Sequence, residues 1–185
     1  MSGASTVVDT TKDPPYAFLL ARVPNVDLRF VHLMRDSRGV AFSAQKTVAK
    51  PDADAFMPRQ APPAAALSYD LYNGLFHALA ALGVPRLPVR YEELVERPRE
   101  ELRRVLAFAG SKAEVGDWLD GRTLRVDAHH SAGGNPLRFR LGPTELRADE
   151  EWRERLGLPG RLAVDALTFP FLLGYGYLGR RSASS

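Results

Sequence analysis

An arginine and a serine eight residues apart, Arg35 and Ser43, are the residues whose types and spacing best suit the binding of an anion. A guanidinium is a planar fork of donors that matches phosphate and sulfate, and a serine hydroxyl can donate to the same group. Arg35 follows an apolar segment that predicts a strand, and Ser43 lies about two turns into a segment that predicts a helix. The pattern also fits an arginine paired with a neighbouring carboxylate and a serine on a solvated helix face.

Asp9 and Lys12 are a second pair of candidates. Lys12 follows residues 6–8, which predict a short strand, so we expect it at the same sheet edge as Arg35. A lysine placed there could neutralise charge on a leaving phosphate. Asp9 could orient Lys12 or act as a base. It could equally cap the next helix, and Lys12 could be an exposed loop residue.

The elements that would position these residues alternate between strands and helices. Residues 28–34 are apolar on both alternating faces apart from Arg29 and His32, which predicts a strand covered on both sides, as in a parallel sheet. Asp36 or Ser37 can cap the helix that follows, to about Lys46. Because ligands bind outside the carboxyl ends of strands in open α/β sheets, and a helix start adds free N–H groups, an anion is expected at this junction.

The other segments complete an alternating order that predicts a single α/β domain over residues 1–185, with a parallel sheet flanked by helices. The Pro-rich loop at 47–63 is long enough to suggest contact with a substrate. The remaining predictions are a helix starting near Pro14, an amphipathic helix at 64–82 with Leu71, Leu75, Ala78, Leu79 and Leu82 on its buried face, a strand at 87–90, a helix from Pro98 to Gly110, a loop-rich segment at 123–146, and short helices at 149–156 and 161–173.

Composition excludes several classes of protein. No apolar run approaches the roughly 18 residues of a membrane span, and the first residues lack the basic and apolar regions of a signal peptide. The absence of cysteine excludes disulfides and thiolate metal sites and fits a cytoplasmic location. The 25 basic residues form no continuous tract and have few interleaved aromatics, which argues against nucleic acid as a partner. The four histidines lack the spacing of a metal site.

Several segments, in order, resemble bacterial sulfotransferases that use 3′-phosphoadenosine-5′-phosphosulfate (PAPS). VHLMRDSRGVAFS (31–43) is similar to the family's 3′-phosphate-binding segment, and VVDTTKDPPYAFLL (7–20) to its VVDSSK-P segment. RYEELVERPREELRRVLAFAG (90–110) resembles the RYEDLV segment. HHSAGGNPLRFR (129–140) with DEEWR (149–153) resembles the late H---GNP-RFR … D--W segment, and FPFLLGYGY (169–177) the usual ending. The resemblance implies a P-loop-type three-layer α/β fold.

The resemblance also implies roles for individual residues. Arg35 and Ser43 would bind the 3′-phosphate of the donor, and Tyr91 would lie near the adenine. Lys12, with Asp9, would act on the leaving phosphate or the transferring sulfuryl group. Asn135, Arg138 and Arg140 would close over the nucleotide, where Gly133 and Gly134 permit a close backbone approach. His129 and His130 are expected next to the site without a direct role.

One part of the family pattern has no counterpart in the sequence. The family's first strand and its Gly/Ser/Thr-rich turn, which grips the 5′-phosphosulfate, match nothing here, so we expect an N-terminally truncated fold. The predicted function is transfer of a sulfuryl group from PAPS to a hydroxyl or amine of a small-molecule or carbohydrate acceptor, without a metal. The alternative is a catalytically inactive nucleotide-binding or interaction remnant. A P-loop kinase is disfavoured because the Walker lysine and its Ser/Thr are absent.

Overall fold

A computed structural model describes residues 6–48, 56–126 and 142–178. In these ranges the helices are α1 (Pro14–Leu20), α2 (Ser37–Gln45), α3 (Pro62–Ala81), α4 (Tyr91–Glu96), α5 (Pro98–Phe108), α6 (Trp152–Arg155), α7 (Leu158–Leu167) and α8 (Phe169–Gly174). The strands are β1 (Phe30–Met34), β2 (Arg86–Arg90), β3 (Leu119–Asp120), β4 (Thr123–Val126) and β5 (Gly142–Glu145). The mixed α/β class is confirmed. Within the described ranges, no helix has the length and apolar character needed to cross a bilayer.

The parallel sheet consists of β1 and β2, paired in register from Phe30 opposite Arg86 to Met34 opposite Arg90. Parallel pairing brings the carboxyl ends of both strands to the same edge, as the sequence predicts. The prediction that β1 is covered on both faces is wrong, because Val31 and Leu33 on one face are 42% and 51% exposed. With two parallel strands described, the three-layer arrangement stays a prediction.

The strand predicted at residues 6–8 is wrong. Residues 6–13 have no regular secondary structure and are exposed, and Val7 and Val8 are 87% and 82% accessible. A strand needs a neighbour that pairs its backbone and buries its side chains, and these residues have neither among the described ones. Helix α1 does begin at Pro14, where the missing N–H of proline costs no helical hydrogen bond.

Helix α3 buries a different face from the predicted one. Leu79 is fully buried, but Leu71 and Leu82 are 59% and 72% exposed. The buried positions are Ala65, Ala66, Tyr69, Asn73 and Leu79. The helix is apolar on several sides, so periodicity alone does not select the face that packs. Two small residues decide the contact, because Ala65 and Ala66 allow close approach of Ala41 on α2 and Val164 on α7.

Three further features differ from the sequence predictions. The Pro-rich loop ends at Ala61, since α3 starts at Pro62, and residues 49–55 lie outside the described ones. The segment predicted as loop-rich contains β4 and β5, which join β3 in an antiparallel sheet of order β3-β4-β5. The last predicted helix is divided into α7 and α8 at Thr168, whose hydroxyl donates to the Val164 carbonyl oxygen.

Candidate anion-binding site

The side chains of Arg35 and Ser43 meet at the carboxyl end of β1. Arg35 is the first residue after β1, and its Nη1 donates to Ser43 Oγ over 3.3 Å. The contact follows from helix geometry, because a residue about two turns into α2 lies above the residue that precedes it. Both side chains are half-buried, so an exposed serine on a solvated face is excluded.

The turn between β1 and α2 is fixed by Asp36 and Arg38. Asp36 caps α2 by accepting the Arg38 backbone N–H at 2.9 Å, and its carboxylate also pairs with the Arg38 guanidinium at 2.7 Å. Burial lowers the pKa of Arg38, but the hydrogen bond and charge of Asp36 outweigh it, so the pKa is raised. The Arg38 guanidinium lies 4.6 Å from the Trp152 ring. Arg38 therefore points into the protein body, and Arg35 is the arginine of this turn that reaches Ser43.

Gly39 leaves room for the Arg35 side chain on α2. A Cβ atom at position 39 would lie 3.3 Å from Arg35 Nε and 3.2 Å from Trp152 Cδ1, closer than such contacts normally are. Gly39 is not among the residues predicted from the sequence, although its spacing from Arg35 is a usable signal. Positions 35, 39 and 43 are spaced by four and so share one helix face.

Tyr91 reaches the same place from the neighbouring strand. It follows β2 directly and begins α4, and its ring centroid lies 4.8 Å from the Arg35 guanidinium carbon. Its hydroxyl donates to the Arg147 carbonyl oxygen at 3.3 Å. Three of the residues singled out in the sequence, Arg35, Ser43 and Tyr91, are thus brought together.

Asp149 and Lys46 complete the cluster, and neither is among the site residues predicted from the sequence. Asp149 Oδ2 lies 3.3 Å from Arg35 Nη2 and 3.2 Å from Lys46 Nζ. Partial burial raises the pKa of Asp149, but the hydrogen bond and charge of Lys46 and the charge of Arg35 outweigh it, so the pKa is lowered. Lys46 lies three residues after Ser43, a spacing that places both on one side of a helix and so is a usable sequence signal. Asp149 is 114 residues from Arg35, and no local pattern links them.

The structure does not bring Asp9 and Lys12 to this cluster. Both are exposed, and no hydrogen bond or ion pair joins them to Arg35 or Ser43 among the described residues. Asp9 accepts hydrogen bonds from the Thr11 hydroxyl and from the Thr11 backbone N–H, the second at 2.7 Å, and these bonds lower the pKa of Asp9. It therefore caps a local turn rather than α1. Lys12 has a left-handed backbone with φ of 60°.

The late glycine-basic segment lies outside the described residues, and with it the positions predicted there. These are His129, His130, Gly133, Gly134, Asn135, Arg138 and Arg140. In the ranges that are described, no three His, Asp or Glu side chains are grouped so that they could hold a metal ion.

Comparison with known proteins gives one match. A family model described as "Sulfotransferase family" matches residues 2–114, which is more than half of the chain. The matched part contains Arg35, Ser43, Lys46 and Tyr91. No curated protein and no solved structure matches the chain.

Proposed function

The chain belongs to the sulfotransferase family, and from that membership we propose that it transfers a sulfuryl group from PAPS to a hydroxyl or amine of a small-molecule or carbohydrate acceptor. The observation that carries the proposal is the contact between Arg35 Nη1 and Ser43 Oγ, 3.3 Å apart at the carboxyl end of a parallel strand. A cation and a hydroxyl at this edge of the sheet are what a phosphate group requires.

The residues around this contact fit the nucleotide end of the donor. Arg35 and Ser43 would bind the 3′-phosphate, because a guanidinium and a hydroxyl can donate to neighbouring phosphate oxygens. Tyr91 offers a half-buried ring beside them, suited to an adenine. Asn135, Arg138 and Arg140 belong to the proposal through the family resemblance.

In the proposed reaction, the acceptor oxygen or nitrogen forms a bond to sulfur while the bond from sulfur to the 5′-phosphate oxygen breaks. The acceptor loses its proton, and 3′-phosphoadenosine-5′-phosphate (PAP) leaves. Lys12 would stabilise negative charge on the leaving phosphate, and Asp9 would orient Lys12 or accept the proton. For either role, residues 6–13 would have to approach the nucleotide.

Calorimetric titration with PAP tests the binding part of the proposal. Arg35→Gln should weaken PAP binding by about tenfold to a hundredfold, since it removes a charged donor, and Ser43→Ala by a smaller factor. Arg97→Gln is the matched control, because Arg97 is an exposed arginine whose ion pair is with Glu100. Folded wild-type protein that does not bind PAP, or equal affinities for Arg35→Gln and wild type, would overturn the assignment of Arg35.

The exposure of Asp9 and Lys12 favours a second candidate, a catalytically inactive nucleotide-binding protein. An assay for PAP release from PAPS in the presence of hydroxyl and amine acceptors separates the two. Transfer that is lost in Lys12→Gln supports the enzyme. PAP binding that depends on Arg35, without transfer to any acceptor in the set, supports the inactive binder.

A further inference from the structure

One carboxylate oxygen, Asp149 Oδ2, is shared by the two cations of the candidate site. Arg35 Nη2 lies 3.3 Å from it and Lys46 Nζ 3.2 Å from it. The second guanidinium nitrogen, Nη1, is turned to Ser43 Oγ. The Asp149 carboxylate oxygen thus lies between the two positive charges, and the guanidinium that it pairs with also contacts the Ser43 hydroxyl. A phosphate bound here has several oxygens with which to engage these donors.

The Asp149 carboxylate is accessible enough to be replaced by an incoming ligand. The side chains of Arg35, Lys46 and Asp149 are 23%, 33% and 29% exposed, so none of the three is sealed inside the protein. Asp149 precedes α6, which starts at Trp152, and lies in a segment without helix or strand. Ion pairs with this exposure are weak, so their loss costs little free energy when a doubly charged phosphate binds.

We propose that Asp149 is the resident counter-ion of the 3′-phosphate site, which the donor's phosphate displaces, and that Lys46 moves from Asp149 to the phosphate as its third ligand. The proposal rests on the proposed function, since it concerns the same site. It adds Lys46 as a binding residue and Asp149 as an autoinhibitory contact. The exchange replaces one carboxylate charge by a phosphate dianion, which matches the two cations of the site, Arg35 and Lys46.

The backbone around Asp149 gives the exchange a structural consequence. Arg35 Nη2 also donates to the Asp149 carbonyl oxygen at 3.1 Å, and Tyr91 donates to the Arg147 carbonyl oxygen. Residues 147–149 are therefore held by the two side chains that would bind the nucleotide. Displacement of the Asp149 carboxylate would therefore be felt in the backbone of this segment, through its contacts with Arg35 and Tyr91.

Titration of two ligands with three variants tests the proposal. PAP and adenosine 5′-monophosphate differ by the 3′-phosphate, so a residue of this site affects the first and not the second. Asp149→Asn keeps the shape and removes the competing charge, and we expect PAP affinity to rise about threefold to tenfold. Lys46→Gln should lower PAP affinity by about the same factor. Glu100→Gln, which removes an exposed acid paired with Arg97, is the control and should change neither affinity.

The outcomes separate this proposal from the proposed function. Unchanged or weaker PAP binding by folded Asp149→Asn, with wild-type binding that depends on Arg35, overturns the counter-ion role and leaves the function standing. Lys46→Gln with wild-type PAP affinity overturns the ligand role of Lys46. If neither wild type nor Asp149→Asn binds PAP, both proposals fall. Melting temperatures of all variants confirm that folded protein is compared.

Discussion

Arg35 and Arg38 are three residues apart in one turn, yet they have opposite surroundings. Arg38 is buried with Asp36 and lies over Trp152, so its charge is satisfied inside the protein. Arg35 is half-buried beside Ser43 and faces a carboxylate from a distant segment. Asp36 caps α2 and pairs with the guanidinium of Arg38. The guanidinium of Arg35 therefore does not pair with Asp36 and is turned towards the edge of the sheet.

The position of Arg35 depends on the absence of a side chain at Gly39. We expect Gly39→Ala to weaken PAP binding by roughly 1 kcal/mol, about fivefold, because the new methyl group displaces the guanidinium from Ser43. Trp152 is 3% exposed and cannot retreat, so the longer Arg35 side chain must move. Calorimetric titration with PAP measures the effect.

Gly74→Ala in α3 is the matched control for Gly39→Ala. A Cβ at position 74 meets nothing within 4 Å, so the change should stabilise α3 by roughly 0.5–1 kcal/mol and leave PAP affinity unaltered. Wild-type PAP affinity in Gly39→Ala would contradict the link between this glycine and the placement of Arg35.

At the scale of elements, α6 is a single helical turn that packs on α2 and so positions the preceding segment, which contains Asp149. Trp152 packs with Phe42 and Leu156, and the Arg38 guanidinium lies over its ring. A four-residue helix is too short to be stable by itself, so this packing holds it in place. The contact between Asp149 and Arg35 therefore depends on an anchor three residues away.

Trp152→Ala should lower the free energy of unfolding by about 3 kcal/mol, since it removes a large buried side chain and leaves a cavity against Phe42. Trp118→Ala is the matched control, because Trp118 is 42% exposed, and should cost below about 1 kcal/mol. Urea denaturation of both variants measures the difference. Equal losses would show that α6 is not anchored by this side chain.

The sequence predicts those parts of the site that follow from local geometry. Arg35 and Ser43 are joined by one strand–helix junction, and Tyr91 reaches them because parallel strands end at the same edge. Asp149 could not be predicted, since its contact depends on how α6 docks. The buried face of α3 could not be predicted for a similar reason. Ala65 and Ala66 are buried because their small size allows α2 and α7 to pack closely, and hydrophobic periodicity does not reveal this.

At the scale of the whole molecule, the end of the described chain ties the strands to the helices. Tyr177 Oη donates its proton to Glu92 Oε2 at 2.7 Å and lies 3.3 Å from the Met34 carbonyl oxygen, which connects α4 with the end of β1. Tyr175 Oη donates to Asn73 Oδ1 at 3.0 Å, the atom that also lies 2.9 Å from His32 Nε2. A network of polar side chains thus links the C-terminal segment to the buried histidine of β1.

That histidine should make the stability of the protein depend on pH. His32 is 5% exposed, and its Nδ1 has no hydrogen-bond partner in the described part of the chain. Burial lowers the pKa of His32 from 6.5 to about 4; the Asn73 hydrogen bond opposes this shift, and the charges of Arg86 and His77 add to it. Between these pH values the unfolded chain binds a proton that the folded chain does not. The free energy of unfolding should therefore fall as pH drops from 6.5 to 4, on the order of 2–3 kcal/mol.

Comparison of wild type with His32→Gln isolates the contribution of this one group, because other titrating groups act in both proteins. Glutamine stays neutral and can still donate to Asn73, so urea denaturation across this pH range should give a flatter dependence for the variant. Asp149 does not contribute to the pH dependence in this range. Its pKa is lowered, so its stabilising effect is lost only as pH falls below the ordinary value of 3.8.

The pKa of His77 is lowered, like that of His32, because of partial burial and the charge of Arg86. His77→Gln should therefore remove a smaller part of the pH dependence of stability. Parallel pH curves for wild type and His32→Gln would mean that the folded protein accommodates the charged imidazole, and would rule out His32 as the source of the dependence.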